Sequence, residues 1–158
     1  MTVTGTCNPT GRSTFSYVAR GAASGPYVGV FEESGTFTIG PVVDPKPGHP
    51  AGEVLHFSAR FTINSIAPSG TIEGRKALRG GAFAGGASCA PSGAGEFVTI
   101  AIADGLRYRA TIETLEFAGE TCRDDGNSVV TLSDNPTTPM FDESFGSEDG
   151  TARCGGPG

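Results

Sequence analysis

Over residues 54–65 (VLHFSARFTINS) apolar and polar side chains alternate. Leu55, Phe57, Ala59, Phe61 and Ile63 fall on one face, and His56, Ser58, Arg60, Thr62 and Asn64 fall on the other. A period of two over so long a run predicts a strand with one buried face and one wet face. A helix would turn Arg60 to the side of Phe57 and Phe61. Shorter stretches repeat the pattern. Phe15, Tyr17 and Ala19 share a face over 14–19. Residues 27–39 read as two pieces, Phe31 inward in the first, Phe37 and Ile39 inward in the second, with a break near Ser34-Gly35. Over 71–79 the inner face carries Ile72, Gly74, Lys76 and Leu78, which points Lys76 inward. Segments 96–103 and 106–117 read as a hairpin turning at Asp104-Gly105, and strands follow at 128–132 and 140–145.

Turn signals separate these runs. Residues 40–52 hold four prolines and predict a loop that crosses between sheets, because proline donates nothing to a ladder. Residues 80–95 are a Gly/Ala-rich connection, and Asp124-Asp125-Gly126-Asn127 reads as a hairpin-type turn. No stretch predicts a convincing helix. The expected fold is therefore all-β: an antiparallel β-sandwich, Ig-like or jelly-roll-like, of about eight or nine strands, with a closed or partly open β-barrel as the alternative. The 158 residues suit a single domain, 1–158, with a flexible Gly-rich tail over about 146–158.

Charge narrows the partners. The net charge is −6, there is no run of three basic residues, and the arginines are expected to stand singly on solvent faces. Nucleic acid, which needs concentrated cations, is not an expected partner. Membrane insertion is not expected either, because no apolar run approaches the roughly 20 residues a spanning helix needs. Met1 leads directly into strand-like sequence rather than a signal peptide, and is read as standing where a leader or upstream domains were removed.

Cysteines set the compartment. Cys7, Cys89, Cys122 and Cys154 are widely spaced with no CxxC, unlike zinc ligands, and predict two disulfides in a secreted or cell-surface protein. Near-symmetry of Cys89 and Cys122 about the 104–105 turn predicts the pair Cys89–Cys122, leaving Cys7–Cys154 to tie the termini.

The runs Phe15-Ser16-Tyr17, Ala23-Ser24-Gly25-Pro26-Tyr27 and Gly35-Thr36-Phe37-Thr38-Ile39-Gly40 resemble secreted β-sandwich modules of bacterial, actinobacterial-type surface proteins, which are often Ig-like. The resemblance covers the first third of the chain and transfers no catalytic residue. It implies a non-enzymatic structural or adhesive module, a stalk or filament subunit meeting other domains or copies of itself. The tryptophan of antibody-type domains is missing, because the chain has none. Such modules sometimes join a buried lysine to a neighbouring side chain. Lys76 is the candidate here, with Asn64, Asn127 or Asp142 as its isopeptide partner and Glu143, in parity with Phe141 and Phe145, as the acid.

Chemistry beyond that is thin. His49 and His56 are the only histidines, no GxSxG elbow occurs, and no catalytic residue is assigned. Among cofactors only calcium is considered, at Asp124, Asp125, Asn127 and Asp134, although these lack the full EF-hand spacing. The alternative function is a carbohydrate- or calcium-binding module that uses loop 40–52 and the acidic turns, with Tyr27 and His49 as ligand contacts.

Overall fold

The computed structural model describes residues 1–45, 47–48, 51–79, 85–89, 97–115, 120–148 and 153–154. Eleven strands account for most of them: β1 (Thr2–Gly5), β2 (Ser13–Ala23), β3 (Val28–Ile39), β4 (Val54–Ala67), β5 (Ser69–Leu78), β6 (Gly85–Cys89), β7 (Val98–Ile102), β8 (Leu106–Thr114), β9 (Cys122–Ser133), β10 (Met140–Ser147) and β11 (Arg153–Cys154). Every pairing is antiparallel, in the order β1-β2-β3-β4-β5-β8-β9-β7-β6, with β10 and β11 on the other side of β9.

Strand β9 is where the fold changes layer. Its first half pairs with β8, from Ile112↔Cys122 to Arg107↔Asn127. Its second half pairs with β7, from Ile102↔Val130 to Thr99↔Ser133. The sheet doubles over at that point. Phe15, Tyr17, Phe37 and Phe57 from β2–β4 then pack on Val98, Ile100 and Ile102 of β7 and on Val130 and Leu132 of β9. A second cluster joins Phe31, Phe61, Ile63 and Ile72 to Tyr108 and Ile112, with Phe141 and Phe145 of β10 against it. Two layers with an apolar interior and no closure into a barrel make a sandwich-like all-β fold, as the alternation predicts.

Five local readings change. Segments 96–103 and 106–117 are not a hairpin: β7 and β8 each pair with β9 and not with one another, so the 104–105 turn carries the chain between layers. Asp124-Asp125-Gly126-Asn127 is not a turn but the interior of β9. Gly126 is needed there because a Cβ would lie 2.0 Å from the Gly146 carbonyl oxygen on β10. Strand β3 is unbroken, and Gly35 serves the close approach of β4 rather than a bend. Leu55 is exposed while Val54 is buried, because a register shift between Thr38 and Ile39 sets Ile39 opposite Val54. The proposed tail is paired in part: β10 runs to Ser147, and Arg153 and Cys154 face Arg123 and Cys122.

The sequence signal at Gly35 leads to a direct prediction. A Cβ there would stand 2.5 Å from the Ser58 carbonyl oxygen and 2.7 Å from the Ala59 methyl. Backbone must move to admit it. Gly35→Ala is expected to lower the unfolding free energy by about 1–3 kcal/mol, seen as an earlier urea midpoint with unchanged slope.

All four cysteines are in disulfides, with a different pairing from the one expected: Cys7–Cys89 and Cys122–Cys154. The symmetric-hairpin reading fails because there is no β7–β8 hairpin. Cys7 follows β1 and Cys89 ends β6, the two extreme strands of the path, so that bond staples the margins of the folded-over sheet. Nearby, Glu53 bridges Gly86, and the Ala87 N–H donates to the Gly52 carbonyl at 2.7 Å. Cys122 and Cys154 are direct cross-strand neighbours.

Candidate functional site

Lys76 points inward, as its parity requires, and its side chain has no solvent exposure. The neighbouring positions explain how it fits. Tyr17, Gly35, Ala59, Lys76 and Tyr108 lie opposite one another on β2, β3, β4, β5 and β8. The next row on the same face reads Ala19, Glu33, Phe61, Gly74 and Ala110. Small residues at 35 and 59 leave a trough over the middle of the sheet. A lysine on β5 can therefore reach a carboxylate on β3, about 10 Å away across two strand spacings. Gly74 leaves room for the Phe61 ring, whose Cζ would be 2.4 Å from any Cβ there.

The Lys76 Nζ contacts carboxylate oxygens of both Glu33 and Glu143. Glu33 has no side-chain exposure and Glu143 only 3%. Tyr17, itself buried, donates its hydroxyl to Glu33 Oε2 at 2.5 Å. Ser128, on β9, donates to Glu143 Oε2 at 2.6 Å. Glu143 reaches the group from β10, in the other layer, because it faces inward opposite Val130. Rings of Phe145, Phe61 and Phe57 stand 5.3, 5.7 and 6.0 Å from the amine and shut out water.

Burial governs the protons. Desolvation lowers the Lys76 amine to about 8, against the pull of Glu33. Desolvation raises Glu33 above the usual carboxylate range, and Lys76 and Tyr17 only partly offset this. It raises Tyr17 as well, reinforced by Glu33. Two carboxylates around one ammonium would leave a net buried charge, so the cluster holds a proton on at least one carboxyl group.

Of the expected partners of Lys76, only Glu143 is present. Asn64, Asn127 and Asp142 all face solvent, and Asn127 accepts instead from Arg107 at 3.1 Å. They have the wrong parity: each neighbours an inward residue. Glu33 is the participant the sequence reading missed. Its signal was the parity 31-33-35-37-39, hidden by the supposed break at Ser34-Gly35.

The calcium constellation does not form. Asp124 accepts from Tyr108 at 2.9 Å and from Ser147 at 2.6 Å, and Asp125 pairs with Arg153 at 3.1 Å. Asp134 accepts from the Val98 N–H at 2.7 Å, at the far end of β9. Strand geometry separates these groups, and among the described residues no set of three His, Cys, Asp or Glu could hold a metal. Tyr27 is half-buried against the second core cluster and lines an open cleft of about 850 Å³ with Asp142 and Ser144. His49 lies outside the described residues.

Five of the nine arginines do not stand singly. Arg60, Arg75 and Arg109 are directly opposite on three successive strands, and Arg79 and Arg107 line the same outer hollow of about 890 Å³. Glu73 and Asp125 are its acidic members. Asp125 stands opposite Arg109 on β9 and Arg107 pairs with Glu148 at 2.9 Å, so the unfavourable like-charge steps are Arg60–Arg75 and Arg75–Arg109.

Comparison with family models, curated proteins and solved structures yields no match. Among the described residues no helix is long and apolar enough to cross a membrane. Two disulfides are compatible with an extracellular protein.

Proposed function

We propose that this chain is a non-enzymatic structural module of a secreted or cell-surface protein, built to keep its shape under tension. The observation that carries this reading is the layout of the disulfides. They close loops of 82 and 32 residues that do not overlap. A pull on the two ends therefore bypasses nearly everything before Cys89 and everything from Cys122 to Cys154. The enclosure of the Lys76 cluster supports the same reading, because its ionisable groups are sealed from any substrate. Stretching single molecules tests it. An oxidised chain should yield in one abrupt event and release no more than the segment between Cys89 and Cys122, at roughly 3.4 Å per residue. Gradual yielding at low force would count against a structural role.

The arginine ladder favours an adhesive function on the same module, toward anionic glycans rather than through loop 40–52. Retention on immobilised heparin at low salt, lost as salt rises and abolished in Arg60→Ser/Arg75→Ser/Arg109→Ser, is the expected result. Equal behaviour of parent and variant would remove this reading.

A further inference from the structure

We propose that Lys76 and Glu143 condense into an intramolecular isopeptide bond that joins the two layers, with Glu33 as the proton-transferring group. The Lys76 Nζ touches carboxyl oxygens of both acids, and all three side chains are shut inside a ring-lined interior. In water an amine and a carboxylic acid do not condense, because they form solvated ions and water competes. Here neither holds. The burial of net charge keeps a proton on the carboxyl pair, and the reactants are held together at high effective concentration.

The atoms balance without a co-reactant. The neutral Lys76 amine attacks Cδ of the protonated Glu143 carboxyl group, forming the C–N bond. Glu33, which holds the proton given up by the ammonium so that the cluster stays neutral, passes it to the departing Glu143 hydroxyl and takes one from the nitrogen in its place; the C–O bond breaks, and one water leaves. Glu33 ends as it began. Tyr17 holds Glu33 in place through its other oxygen, Oε2. Ser128 donates to Glu143 Oε2 and steadies the oxygen on which charge develops. Glu143 is the acceptor because it comes from the opposite layer and its Oε1 is buried without a hydrogen-bond partner. Glu33 is already engaged by Tyr17. The bond would also shorten the path of tension between Cys89 and Cys154, but the inference does not depend on the role proposed for the module.

The test is the intact mass of the folded, then reduced and alkylated, chain. The parent should fall about 18 Da below its sequence mass, one water, and keep that deficit after denaturation. Glu143→Leu should carry its full sequence mass. Glu33→Gln should react many-fold more slowly, with the deficit appearing over time. A parent at full sequence mass overturns the proposal without needing any variant to fold. A deficit kept in Glu143→Leu and lost in Glu33→Leu overturns the assignment of Glu143 as acceptor.

Discussion

Lys76→Ala should be the most damaging single substitution in the chain. It removes the only cation of a buried group and leaves Glu33 and Glu143 facing one another without water. Breaking a buried pair in this way costs about 3–5 kcal/mol, because the remaining charge has no compensation. For a domain of this size that is a fall of roughly 6–20 °C in melting temperature, measurable by circular dichroism. Replacing the whole group, as Lys76→Met/Glu33→Leu/Glu143→Leu, should recover the part of the loss that comes from uncompensated buried charge, though not the part contributed by the covalent tie, since well-packed apolar side chains often substitute for a buried ionic group without penalty. A triple variant no better than Lys76→Ala would show that the trough tolerates nothing but the native cluster.

The same site has a signature in pH. A free Lys76 amine titrates near 8 in the folded chain and at its ordinary 10.5 when unfolded. The unfolded chain would then bind more protons between those values, and stability would rise with pH across that window. An amide nitrogen does not titrate. The bonded protein is therefore expected to show no such rise between about pH 8 and pH 10 in urea unfolding.

The second large effect belongs to the Cys7–Cys89 staple. It closes a loop of 82 residues and joins the two outermost strands of the path. Restriction of the unfolded chain by a loop of that length amounts to about 4–5 kcal/mol. Cys7→Ser/Cys89→Ser should lose roughly that much. Cys122→Ser/Cys154→Ser, with a loop of 32 residues, should lose less, about 3–4 kcal/mol. Thermal melts of both pairs under oxidising conditions check the order. Equal losses, or the reverse order, would place the effect in the folded state instead.

Strand identity was legible wherever one face is buried. Phe57, Ala59, Phe61 and Ile63 announced β4, and Lys76 could be placed inside from its parity alone. Layer changes were not legible. β7 and β8 alternate as a hairpin would, and only the pairing of both with β9 shows that the turn between them crosses the sandwich. The disulfide pairing was lost with it. Glycine misled in both directions. Gly126 sat in an apparent Asp-Asp-Gly-Asn turn, yet it is a strand residue that lets β10 approach. Gly35 looked like a break and hid Glu33, the second acid of the cluster. Strand β6 went unseen because its five residues, GGASC, carry no alternation. The arginine ladder needed the register: Arg60, Arg75 and Arg109 are far apart in sequence and meet only across three strands.

A bond from Lys76 to Glu143 ties one layer of the sandwich to the other, and a tryptic map of the denatured, reduced and alkylated chain reads that bond. Cleavage is expected to fail after Lys76, and peptide 76–79 to travel joined to peptide 124–153, one water lighter than their sum. Free peptide 77–79 beside 124–153 at its full mass would contradict it.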